Sequence, residues 1–280
     1  MRSQSKRPNI WESRLIDRVI LSSVHLRRVL LMGVLGVGLF QSPSLADDFR
    51  IETKVFVGKD KSAVSQTTTL FKAGYVYDYL SSPANPEQVA VLDKHHGRFI
   101  LLDRTRKLKT EIKSEDVLAF ARQCQIFAGK SSNAFLKFAA DPEFDTDFSA
   151  DGELTLSSQY INYKLQTEPA NTPEAAQQYR EFSDWYARFN AMSNPESTPP
   201  FPRLIVNEEL ANRGLVPTEV QLTISGPGKL GRTVNIRSEH HVSWRLLKRD
   251  EEKIAETAHQ LATLKLVPFT EFQPTTVGKR

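Results

Sequence analysis

The sequence predicts an α+β fold: a curved, half-barrel-like antiparallel β-sheet with helices inserted on one face. Two observations carry this expectation. Between residues 49 and 112, short segments alternate apolar and polar residues with a period of two, and turn residues separate them. A turn every ~8–12 residues favours antiparallel hairpins over βαβ units. Segments of helical period then arrive in blocks instead of following each strand in turn, which is the α+β pattern.

The first strand is read from Phe49, Ile51, Thr53, Val55 and Val57 alternating with Arg50, Glu52 and Lys54. Gly58 to Lys61 is a polar turn, and Val64 to Lys72 a threonine-rich strand closed by Ala73-Gly74. Tyr75 to Leu80 follows with its tyrosines on one face, then a loop over Ser81–Pro86. Gln88–Leu92 and Arg98–Leu102 are strands joined through Asp93–Gly97, and Lys107–Ile112 alternates again. Helices then interrupt. Ser114 suits an N-cap, Glu115 and Asp116 suit the first turn, and Val117, Phe120, Ala121, Cys124 and Phe127 recur at helical spacing. A short helix is expected over Asn133–Ala140, an acidic loop over Asp141–Gly152, and strands over Glu153–Ser157 and Tyr160–Thr167. Thr172 as N-cap and Pro173 at the first helical position open a long helix with the stripe Ala175, Tyr179, Phe182, Tyr186 and Phe189. The Pro-rich loop 193–202 is internal to one domain, residues 47–280. A short helix over Arg203–Arg213, strands over Thr218–Ser225 and Arg232–Leu246 around a turn at Gly226–Gly231, an amphipathic helix over Asp250–Leu264 and an extended tail complete the chain.

Ahead of this domain, residues 1–46 have the three zones of a secretory signal peptide. Residues 1–28 are polar and basic, Val29–Phe40 is an apolar run with glycines, and Ser44-Leu45-Ala46 offers small residues three back and one back from a cut before Asp47. The apolar run is too short to span a bilayer, which takes about 20 residues, and no later stretch approaches that length. The expected location is therefore periplasmic or secreted, after cleavage near Ala46, with an uncleaved signal anchor as the alternative. The leader also carries the basic charge. The whole chain has 37 Lys+Arg and 33 Asp+Glu; residues 1–46 hold 7 and 2, leaving 30 and 31, a net charge of −1. Such a balance argues against nucleic acid as a partner. With Cys124 the one cysteine, no intramolecular disulfide is possible, and burial must hold the exported fold.

No catalytic, metal or cofactor motif stands out. His95-His96 and His240-His241 are doublets, but neighbours on a strand point to opposite faces, so each doublet offers one ligand per face. His240 shares the parity of Val234, Ile236, Ser238, Val242 and Trp244 and is expected on the core side. The carboxylates of the 141–153 loop do not have EF-hand spacing. Cys124 reads as a packed thiol on its helix stripe.

The meander also resembles a known family. Phe49-x-Ile51-x-x-x-Val55-x-Val57, then GYVYDYL from Gly74, then GRFILLDRTRKLKTEI from Gly97 are similar to the bacterial periplasmic lipoprotein-carrier (LolA/LolB-like) superfamily. Leu101-Leu102-Asp103 and Lys107 fit the place where a strand of that family ends before a basic turn. The likeness covers residues 49–112, and the chain departs from the family in opening on a strand and in longer helical insertions. What the resemblance implies is a sheet that shields lipid chains. Its expected reading is a non-enzymatic envelope protein holding a lipid or acyl-chain ligand in a sheet–helix cavity, without cofactor. On the first strands, Ile51, Val55, Leu70, Val76, Phe99 and Leu101 are the candidate lining residues. The alternatives are a secreted hydrolase or metal-dependent enzyme using the histidines and the acidic loop, and an interaction scaffold without a cavity.

Overall fold

Twelve strands form one open, curved sheet in the computed structural model, which describes residues 48–81, 88–194, 197–225 and 233–273. The expected leader, the loop at 82–86 and the turn at 226–231 lie outside the described residues. Six strands come first: β1 (Phe49–Val57), β2 (Ser65–Lys72), β3 (Tyr75–Ser81), β4 (Gln88–Asp93), β5 (Arg98–Asp103) and β6 (Leu108–Lys113). Two helices follow, α1 (Ser114–Gly129) and α2 (Ala134–Ala140), then β7 (Asp145–Phe148), β8 (Glu153–Ser157) and β9 (Ile161–Pro169). The helices α3 (Pro173–Ser193) and α4 (Phe201–Asn212) precede β10 (Leu215–Ser225) and β11 (Thr233–Ser243). The chain closes on α5 (Lys248–Thr263), β12 (Lys265–Leu266) and α6 (Phe269–Phe272).

The strand order is β12-β6-β5-β4-β3-β2-β1-β11-β10-β9-β8-β7. All pairs are antiparallel except β12 with β6. Pairing of β1 with both β2 and β11 welds the opening meander to the late hairpin. At the β2–β3 turn, Ala73 (φ 48°) and Gly74 (φ 80°) both lie in the left-handed region, as a two-residue hairpin requires. A side chain at Gly74 would also strike the His95 ring. Pro217, which cannot donate to the ladder, sits where β10 shifts register against β9.

The inner face of the sheet carries most of the core. Phe49, Ile51, Phe71, Val76, Leu92, Phe99 and Ile112 pack there with Val117 of α1, Tyr179 and Phe189 of α3, and Val206 and Leu210 of α4. Rings interlock across it: Phe49 stacks on Phe71 at 4.0 Å, Phe99 on Phe189 at 5.0 Å, and Phe182 meets Phe71 edge-on. Each such pair adds about 0.5–1.5 kcal/mol beyond its burial. The long helix begins as expected, with the Thr172 side chain accepting the Ala175 N–H. In α1 the N-cap is Lys113, without a side-chain bond, and not Ser114. Phe127, expected on its apolar stripe, is exposed.

Helices cover both faces, which corrects the one-face expectation. On the outer face Leu70, Tyr77, Val89, Val91, Ile100 and Leu102 form a second core, packed against Ile254 and Leu261 of α5. The reason lies in runs such as Val89–Leu92 and Phe99–Leu102, apolar at successive positions, so that both faces need cover. Polar links fix α5 in place. Arg50 pairs with Asp250 at 3.4 Å, both nearly sealed from solvent, and the Tyr79 hydroxyl meets Thr257 at 2.9 Å. Asp250 also accepts the Leu247 N–H at 2.8 Å, satisfying an orphan donor of the helix start.

Candidate functional site

The inner face is solid at one end of β3–β5 and hollow at the other. Val76, Leu92, Phe99 and Ile112 form one row across four strands and are buried under α3. The next row, two residues along, is Asp78, Ala90, Leu101 and Thr110, and the one after begins Leu80, Gln88. Asp78, Leu80, Gln88, Ala90 and Leu101 line a cavity of about 230 Å³. Its roof is Tyr186, Phe189 and Ser193 from α3, and its side is Phe269, Phe272 and Gln273 around α6. Drug-sized sites run to roughly 300–1,000 Å³, so this space suits the end of a chain, not a whole lipid.

Each wall follows from local sequence. The stripe of α3 brings Phe182, Tyr186 and Phe189 onto the sheet, because residues three and four apart share a helix face. Phe182 and Phe189 each find an aromatic partner on the sheet, Phe71 and Phe99. Tyr186 lies between them, opposite the hollow row, and keeps 36 % of its surface open. The small helix α6 is held against β6 by Arg106, which donates to the Phe272 carbonyl and lies over its ring at 5.2 Å.

Asp78 is the charged group of this wall among the described residues. Its carboxylate is buried, and Oδ1 accepts from the Thr69 hydroxyl at 2.6 Å. Burial raises its pKa to about 6, against the Thr69 bond, which favours the charged form. The phenol of Tyr186 is pushed up by burial and then by the Asp78 charge.

The inner face runs on from the cavity across β2, β1 and β11. Leu80 pairs with Thr67, Thr67 with Thr53, and Thr53 with His240. His240 is held by Thr53 Oγ1 at 3.0 Å and Ser238 Oγ at 2.8 Å, and burial, with Arg203 nearby, drives its pKa down to about 3. The imidazole is thus neutral, donating from one nitrogen and accepting at the other. Beyond it Val55, Leu222 and Ile236 are half-buried, and Val57 and Val234 are about two-fifths exposed. On the outer side of the same strand ends is a polar depression of about 320 Å³, with Lys54, Arg104 and Lys253 beside Glu52.

The six lining candidates do not stay together. Leu101 lines the cavity. Ile51, Val76 and Phe99 share its face but belong to the packed core, and Val55 is half-buried on that face two strands beyond β3. Leu70 faces the other way, into the second core. Asp78, Tyr186 and the α6 phenylalanines were missed. Asp78 had a legible signal: in Gly74–Leu80 it shares the parity of Val76 and Leu80, an acid at an apolar position.

The enzyme candidates are also dispersed. His95 and His96 stand in the β4–β5 turn, held by the Ala73 carbonyl and by Asp93. His240 lies on the inner face, His241 is exposed on the outer one, and His259 is on α5. Part of the acidic segment, expected as a loop, is the edge strand β7, with three strands between it and β11. Among the described residues no three of His, Cys, Asp and Glu gather as a metal would need. Burial pushes the Cys124 thiol up to about 11. Among those residues, too, no helix is long and apolar enough to cross a membrane.

No protein-family model matches the chain, and no curated protein matches it. Among solved structures it is similar to a LolA superfamily protein from Nitrosomonas europaea, at 10 % identity, over 73 % of this chain and 89 % of that one, with a TM-score of 0.25. This is a weak likeness, at the level of the fold alone.

Proposed function

We propose that the protein is a non-enzymatic binding protein that works outside the cytoplasm and holds an apolar chain, such as the acyl or alkyl part of a lipid, between sheet and α3. The carrying observation is the change along β5. Phe99 is sealed in aromatic packing, and Leu101, two residues on and on the same face, borders an open space. Apolar surface facing a hollow in an otherwise close-packed interior is the setting in which burying a ligand's methylenes is favourable, at about 0.8 kcal/mol each. The half-exposed face beyond, over Val55 and Ile236, offers the rest of such a chain a place to lie. Export rests on the leader at residues 1–46.

The test is fluorescence titration with the neutral apolar probe N-phenyl-1-naphthylamine, on the wild type and on Ala90→Trp, whose indole would fill the cavity. Saturable enhancement in the wild type, reduced about tenfold or more in affinity by Ala90→Trp at unchanged circular dichroism, is expected from the apolar area the indole takes up. No enhancement in the wild type, or equal binding by both, would remove the cavity from the function.

A further inference from the structure

Among the described residues the cavity wall carries an acid and no cation. Of the residues that line it, Asp78 and Tyr186 titrate, and none is Lys, Arg or His. Asp78 Oδ1 is taken by Thr69, and among the described residues no donor meets Oδ2. The other polar groups of the described lining are Gln88, Ser193 and Gln273, and the Ser193 hydroxyl is buried without a partner among the described residues. The cavity that Asp78 lines is walled from β4 and β5 by Ala90 and Leu101, from α3 by Tyr186 and Phe189, and from α6 by Phe269 and Phe272.

We infer that the ligand is an apolar chain whose buried end is a hydrogen-bond-donating cation, an alkylammonium, with Asp78 as its counter-group, and that a chain ending in a free carboxylate is rejected. This deepens the function proposed above and rests on it. The physical reason is desolvation. A second anion beside Asp78 would be buried next to a like charge with only neutral donors and no described cation to pair it, whereas an ammonium forms a charge-assisted hydrogen bond to Oδ2. Tyr186, whose phenol is pushed up by burial and by the Asp78 charge, lines the same cavity. The sheet therefore has an address for the ligand's head as well as room for its tail.

The sign of the pH dependence follows. With its pKa at about 6, the Asp78 carboxyl is charged at pH 7.5 and neutral at pH 5. An alkylammonium is charged at both, so its advantage is present at pH 7.5 and lost at pH 5. The affinity for a fatty acid moves the other way.

Displacement of N-phenyl-1-naphthylamine by dodecylamine, dodecanol and dodecanoate, at pH 7.5 and pH 5, tests this. At pH 7.5 dodecylamine should displace the probe at a concentration about tenfold or more below dodecanoate, the scale of one charge-assisted bond. Asp78→Asn should bring the two ligands together at pH 7.5, and pH 5 should do the same in the unaltered chain. The pH arm makes the result independent of how the variant folds. Dodecanoate binding as tightly as dodecylamine at pH 7.5, or an amine preference that survives both Asp78→Asn and pH 5, would overturn the inference and leave the cavity standing. A wild type that takes up no probe would instead overturn the cavity reading, and this inference with it.

Discussion

Asp78 is a buried carboxylate in a wall that is otherwise apolar or neutral, and such a group costs stability whenever it is charged. Its folded pKa, about 6, lies above the ordinary value of 3.8. By linkage, what it contributes to stability is fully present below the unfolded value and is lost as the pH rises through the folded one. Asp78→Asn should therefore be more stable than the wild type at pH 7.5, by as much as about 3 kcal/mol. The gap should close as the pH falls towards 4. Urea unfolding of both chains between pH 4 and 8 measures this, and a pH-independent gap would show the carboxyl to be ordinary. His240 acts in the opposite sense. Its pKa, lowered to about 3, makes its contribution disappear as the pH falls from 6.5, but both chains carry it and it cancels in the difference. Asp78 was readable in the sequence by parity alone, though the tyrosines at 75, 77 and 79 were the more visible pattern. The misplacement of Leu70 has a simple cause: Leu70 and Phe71 are adjacent, both apolar and both buried, so alternation cannot say which of them faces the helices.

Within β5 the same logic separates two neighbours. Phe99→Ala removes a ring stacked on Phe189 in the packed row and should cost about 3–5 kcal/mol. Leu101→Ala enlarges a space already present, so its cost should stay below about 1.5 kcal/mol, under the 2–5 kcal/mol of a sealed leucine. Equal and large losses for the two variants, by urea denaturation, would mean a filled core at Leu101. The strands of the meander were legible because half-buried alternation marks them, and α3 because Thr172, Pro173 and a long aromatic stripe mark it. The edge strand β7 was not, since Asp145–Phe148 is exposed throughout and has no buried face to leave a pattern. The helix α6, four residues long, is too short for any helical period to show, and yet two of its residues wall the cavity.

For the whole molecule, the sheet is two-sided and unequal. Its outer face is covered over β2–β5 by α5, which Arg50–Asp250 and Tyr79–Thr257 hold in place, and is left open in the polar depression at the strand ends. Its inner face is filled beneath α3 and α4 but hollow towards the ends of β3–β5. The class of fold was readable from the period of the segments, but the second covered face was not, because runs buried on both sides do not name the helix that covers them. The hollow was beyond the sequence as well, since it arises where α3 sets Tyr186 opposite a small residue, Ala90, and no local pattern records that distance. If this hollow holds an apolar chain, the chain should be seen on the protein itself. Native mass spectrometry of the freshly purified protein tests it most directly. The wild type should carry one apolar molecule per chain, or take one up from dodecylamine at pH 7.5, and Ala90→Trp should show its bare mass under both conditions. A bare wild-type mass that persists through that incubation would mean that the hollow holds no apolar chain.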